Sequence, residues 1–261
     1  ATTVQNESAT ESINNPEAFD NFLGYGFQIW MCNLEGVYRA DGAMGQFTIV
    51  CPQQDMIIAI TETAVGAHWA QATLDLTWAF LEGIGSGDMP EDPEGLDKLS
   101  RKLRTLNTPN PIYKPFSPKI PEVSGKQYKV TGGVLSPETR SFMGGADTIQ
   151  VSSFSFDFDN YGAVWHIQRP DGREEAIRIA TYGGRFTNLV KSAQDQTQLV
   201  AASGAWVQAD TFQVVCRWTE TCLTKKLAFR FNGDEVTVEE SWNTAFRPGQ
   251  AGEDAIRAVL A

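Results

Sequence analysis

No apolar run in the sequence approaches the roughly 20 residues a helix needs to cross a bilayer, and the opening stretch is predominantly polar. Neither a membrane span nor a secretory leader is expected. Histidine is nearly absent: His68 and His166 are the only two, and neither has a Cys, Asp or Glu beside it at metal-ligand spacing. Cysteine is sparse, with Cys32, Cys51, Cys216 and Cys222 set singly inside strand-like apolar stretches and no CxxC pair among them. Buried free thiols are expected, a Cys32–Cys51 disulfide staying open if their strands are neighbours, and no metal or cofactor is implied. Positive charge is in deficit, 21 Lys and Arg against 32 Asp and Glu for a net charge of −11, and no basic cluster is interleaved with aromatics. A nucleic-acid backbone would be repelled by most of such a surface, which sets nucleic acid aside as a partner.

The local signatures of an activated nucleophile are also missing. There is no Gly-x-Ser-x-Gly elbow, no Ser-x-x-Lys and no Lys-Thr-Gly. Ser-x-Asn occurs at Ser12–Asn14 and Ser241–Asn243, a pattern of common residue types that carries little information. Asp157-Phe158-Asp159-Asn160-Tyr161-Gly162 starts like a calcium loop, but Gln168 stands where the bidentate Glu belongs, so a hairpin turn explains it better. The glycines of Gly24-Tyr25-Gly26 and of Gly42-Ala43-Met44-Gly45 do not lead from a strand into a helix and are not phosphate loops.

What is present is a chain built to fold: 261 residues, 42% apolar and 20% charged, long enough for two ordinary domains. Residues 24–32 alternate like a strand, Val37–Arg39 and Gln46–Val50 flank the bend Ala40–Gly45, and "MIIAI" at residues 56–60 is apolar on both faces, as a central, doubly covered strand would be. Ala64–Leu81 has helical period, with Trp69, Ala72, Leu76, Ala79 and Phe80 on one stripe. Seven prolines between residues 86 and 122 surround a short amphipathic stretch, Leu96–Leu106, and mark a connector. Beyond Val123 about eight strand-like segments follow at regular spacing, which argues for an antiparallel barrel or sandwich. The last residues, AIRAVLA, are compatible with a short helix. The expected organisation is therefore 1–85, a connector 86–122, an antiparallel β domain 123–248 and a tail 249–261, in an α+β chain.

In their order, GYGFQIW, RADGAMGQF, IVCPQQDMIIAIT and the helix that starts near Ala64 resemble the C-terminal part of a serine β-lactamase-type domain, the superfamily of β-lactamases, penicillin-binding proteins, esterases and 6-aminohexanoate-dimer hydrolase. The resemblance covers roughly residues 15–85. It implies amide or ester hydrolysis through an acyl-enzyme, with Asp41, Gly42, Ala43, Met44 and Gly45 forming a substrate-binding or oxyanion edge. It departs from the family in two ways. Ala40-Asp41-Gly42 stands where Lys/His-x-Gly is usual, closest to the Gly-x-x-Gly-Gln form of the 6-aminohexanoate-dimer hydrolase branch, which argues against penicillin as substrate. The Ser-x-x-Lys motif and the Tyr/Ser-x-Asn motif that lie upstream of these stretches in the family are missing, so the resemblance places no catalytic residue in this chain and alone it is expected to be inactive. Residues 195–246 resemble the all-β extension that follows the hydrolase domain in some bacterial members. The resemblance also implies a partner: the missing N-terminal part of the hydrolase domain, or another chain, covering the sheet. A non-catalytic binding or scaffold role for the same fold is the competing expectation. Free cysteines and the lack of a leader favour the cytoplasm.

Overall fold

The computed structural model describes residues 2–6, 9–64, 70–84, 90–137, 150–192, 196–243 and 256–261. The chain divides into two compact units, one built mainly from Ala1–Asn107 and the other mainly from Thr108–Asn243 and the final strand.

In the first unit a short helix α1 (Ala9–Asn14) and a 3₁₀ segment (Pro16–Phe22) precede five strands, β1 (Tyr25–Gly26), β2 (Ile29–Met31), β3 (Tyr38–Gly42), β4 (Gln46–Cys51) and β5 (Met56–Ile60). They form one antiparallel sheet in chain order. Period-2 alternation sends Phe47, Ile49 and Cys51 to the face covered by helix α2 (Gln71–Glu82), where they meet Leu74, Trp78 and Leu81. The opposite face is open: Ile57 is 69% exposed, and Ala40, Thr48 and Ala59 are exposed with it. The expectation that "MIIAI" is a central strand covered on both sides is thus corrected, because no described strand pairs beyond β5 and it forms the sheet edge. The helical stripe is corrected too. Leu74, Trp78 and Leu81 face the core, whereas Leu76 and Phe80 are 73% and 58% exposed. Both faces of α2 carry large apolar residues, so period alone left its rotation open, and polar anchors on Gln71 and Trp78 decide it. Trp69 lies outside the described residues. A third helix, α3 (Pro93–Arg104), follows, capped by the Asp92 side chain, which accepts from Gly95 N.

The second unit begins with α4 (Ile120–Val123) and continues through ten strands: β6 (Gln127–Gly132), β7 (Ser153–Phe158), β8 (Gly162–Gln168), β9 (Glu174–Ala180), β10 (Phe186–Lys191), β11 (Thr197–Gln208), β12 (Thr211–Trp218), β13 (Thr224–Asn232), β14 (Glu235–Trp242) and β15 (Ile256–Leu260). Each pairs antiparallel with its chain neighbour except at β9 and β10, and β15 pairs with β6, so the meander closes on itself. The ring of nine strands is completed where Ser203 of β11 meets Ala180 of β9 in a parallel bridge, while β10 pairs with the first half of β11. Of the two architectures expected, the barrel is the one formed. The tail is corrected from helix to strand: Ile256 and Ala258 are buried and Arg257 exposed, a period of two that inserts between β14 and β6.

Phe186–Lys191, which forms β10, does not read as a strand in the sequence. Its inward position 188 is an asparagine, which breaks the apolar alternation and serves as a substitute for missing backbone pairing. Asn188 Oδ1 accepts from Arg178 N at 2.8 Å, and Nδ2 donates to Arg178 O at 3.0 Å. Its side-chain amide therefore replaces a peptide group across the gap between β9 and β10. The interior is filled by aromatic side chains: Phe154, Phe156, Trp165, Phe212, Phe229 and Phe231 are all at most 2% exposed. Phe156 stands edge-on to Phe229 with ring centroids 4.9 Å apart. Each buried ring contributes about 1.5–3 kcal/mol by desolvation, so this cluster dominates the stability of the unit.

Candidate functional site

The stretch Asp41–Gly45 forms the end of β3 and the turn into β4. Gly42 pairs with Gln46, and Ala43, Met44 and Gly45 make the connection, with φ of 71° at Met44 and 87° at Gly45. Ala43 is exposed and the Met44 side chain is buried. Met44 O accepts from Ala64 N at 2.9 Å, which ties the turn to the segment after β5. Glu62 fills the space above Gly45: a Cβ there would collide with the Glu62 carboxylate. That carboxylate accepts from Thr73 Oγ1 of α2 at 2.8 Å, and Glu62 O accepts from Gln46 Nε2. The glycine thus lets a side chain of the same chain approach closely, and the turn is braced from behind. On its other side, β2 pairs only with Tyr38 and Arg39 of β3, so Ala40, Asp41 and Gly42 have no described strand against that edge.

Asp41 accepts from Arg39 Nε at 2.9 Å. Arg39 belongs to a buried polar knot that the motifs did not reveal. Its side chain is wholly buried, with Nη1 donating to the carbonyls of Asp20 and Met31 at 3.2 Å each and Nη2 donating to Asn21 Oδ1 at 2.9 Å. Asp20 is also fully buried. Its Oδ1 accepts from Asn33 N at 2.8 Å, and its Oδ2 accepts from Gln71 Nε2 at 2.7 Å and Trp78 Nε1 at 2.9 Å. A buried charge persists only when its lone pairs and donors are used in this way. The knot joins the 3₁₀ segment, β2, β3 and α2, and through Asp41 it holds the candidate edge. Cys32 lies beside Arg39, yet burial outweighs that positive charge and pushes the thiol up to about 11, so it is no nucleophile at neutral pH.

Among the described residues the other buried charged side chains, Arg169 and Lys225, belong to the barrel unit and sit at one end of it. Lys225 is 2% exposed; its Nζ donates to Ser136 O at 2.9 Å, lies 3.3 Å from Glu240 Oε2 and stands 4.5 Å from the centre of the Trp242 ring. Cys216 is its cross-strand partner, and burial drives that thiol up to about 12 despite the lysine. Arg169 is buried against Glu175 and donates to Lys191 O at 3.3 Å. Both cations thus have a carboxylate beside them inside the fold.

The remaining sequence features fall into structural roles. Asp159 Oδ1 accepts from Tyr161 N and Gly162 N at 2.7 and 2.8 Å, which makes the calcium-like stretch a hairpin turn. Asn243 bonds Thr224 N and Cys222 O. His166 pairs with Asp157 at 2.9 Å on the exposed outer face of the barrel; His68 lies outside the described residues. All four cysteines are free, Cys222 being half-buried and the others buried. Among the described residues no group of three or more His, Cys, Asp or Glu side chains could hold a metal ion, and no helix is long and apolar enough to cross a membrane.

Comparison of the chain with protein-family models gave no match, and a search among curated proteins likewise found no relative.

Proposed function

We propose that the first unit serves as the C-terminal wall of a serine-hydrolase domain of the β-lactamase type. Acyl transfer is the chemistry: a serine attacks an amide or ester carbonyl, a lysine and a tyrosine move the protons, and water releases the acyl group. This chain contributes the edge Asp41–Gly45, with a backbone N–H at Ala43 or Met44 as one oxyanion donor, while the nucleophile is carried elsewhere.

The observation that carries the reading is the unfinished apolar surface of the first unit. Ile57 on β5 and Leu76 and Phe80 on α2 are all more than half exposed, although α2 buries Leu74 and Trp78 on its other side and the other face of β5 packs Ile58 and Ile60, partly buried, against the same core. Elements with large apolar residues on both faces suit the interior of a larger domain. The edge at Ala40–Gly42 supports the reading as well, since it is held rigidly by Arg39 and Glu62 and has no described strand beside it.

A non-catalytic binding role for the same fold is the alternative, favoured by Ala40-Asp41-Gly42 in place of Lys/His-x-Gly. The two part on one experiment. The polypeptide encoded by the complete reading frame is treated with a p-nitrophenyl ester, and its intact mass is followed. A single acyl adduct on a serine of a Ser-x-x-Lys motif supports the hydrolase; an unmodified protein supports the binding role.

A further inference from the structure

Helix α3 has no buried residue. Its leucines Leu96, Leu99 and Leu103 are 65%, 54% and 57% exposed, and Leu106 in the turn that follows is 59% exposed. Their spacing of three, four and three residues is the a/d seam of a heptad pattern, a stripe that fits one partner helix rather than a broad core. A helix of 12 residues is marginal in water by itself, so an unpacked leucine stripe on it calls for a partner.

Charge indicates which partner. Residues 91–97 contain Glu91, Asp92, Glu94 and Asp97 and no basic residue, whereas residues 98–104 contain Lys98, Arg101, Lys102 and Arg104 and no acidic one. This segregation opposes the helix macrodipole favourably within one chain. It also makes the helix complementary to itself when reversed, because an antiparallel copy sets each acidic half alongside a basic half and opposes the two dipoles. A two-fold interface requires this kind of self-complementary patch.

We propose that the leucine face of α3 pairs antiparallel with the α3 face of a second copy of this chain. The interface is small, so the dimer is weak and depends on concentration and salt. An anionic lipid surface is the rival occupant of a leucine-and-lysine helix, but the net charge of −11 on the rest of the molecule opposes it.

Sedimentation velocity over increasing protein concentration tests the proposal. The expected result is a weight-average mass rising from 28.7 kDa towards twice that value. Leu99→Ala with Leu103→Ala, which keeps helix propensity while removing the seam, is expected to weaken association at least about tenfold. Raising the salt is expected to weaken association of the wild type and, because the charged residues are retained, the residual association of the double variant as well. A wild type that stays monomeric at every concentration overturns the proposal, as does a dimer indifferent to both changes. So does a monomer that co-sediments with phosphatidylglycerol vesicles, which would assign the face to lipid.

Discussion

At the scale of single residues, Asp20 is the most consequential side chain in the first unit. It accepts three hydrogen bonds from Asn33, Gln71 and Trp78 while its carbonyl accepts from Arg39. Asp20→Ala leaves those donors buried without an acceptor and is expected to destabilise the first unit by about 3 kcal/mol or more in urea denaturation. A loss below about 1 kcal/mol would show that the knot is not what positions the edge. The thiols give a second test. Cys32 and Cys216 titrate near 11 and 12 in the folded protein because burial disfavours the thiolate, against an ordinary value of 9.0. The folded state therefore holds its protons longer than the unfolded state. The stabilisation is complete below pH 9 and declines as pH rises through 11 to 12, by about 1.4 kcal/mol per pH unit per thiol at the steepest. Native protein at pH 8 should leave Cys32 and Cys216 unmodified by iodoacetamide, and denatured protein should be alkylated at both; rapid native labelling would contradict their burial.

At the scale of elements, the amide of Asn188 stands in for strand pairing between β9 and β10. Asn188→Ala is expected to cost about 2–3 kcal/mol and to raise hydrogen exchange at Arg178 and along β10, with β13 and β14 unaffected. Uniform exchange across the barrel would mean that the closure rests on other contacts. This asparagine also explains why the strand was illegible: an inward polar residue breaks the alternation from which strands are read. β15 is ambiguous in the sequence for a different reason. Ile-Arg-Ala-Val-Leu satisfies either period over so few residues, and only the vacancy between β14 and β6 makes it a strand. Where alternation ran longer, as in β7, β8 and β12, the strands were visible at once. The helix α2 marks the opposite case, since Leu76 and Phe80 compete with Leu74 and Trp78 for the core and the winner is set by Asp20, some fifty residues away in sequence.

At the scale of the whole molecule, the chain comprises one unit that is a barrel with an aromatic interior and another that is a five-stranded sheet whose second face is open among the described residues. The β-rich character of the second unit was legible because turn signals recur between alternating segments; its closure was not, because barrel and sandwich stayed open and the closing strand β15 lies in a tail that reads equally well as helix. The bracing of the candidate edge by Glu62 and Arg39 was not, because both act through tertiary contacts that no local spacing encodes. The central claim is that this chain supplies a wall and an oxyanion donor to an acyl-transfer site without its nucleophile. Intact-mass measurement after incubation with a p-nitrophenyl ester tests it most directly, run in parallel on this chain and on the product of the complete reading frame. The account predicts no serine adduct and no burst of p-nitrophenol from this chain, and one stoichiometric adduct on a Ser-x-x-Lys serine in the complete product. An adduct formed on this chain alone, or none in the complete product, would contradict it.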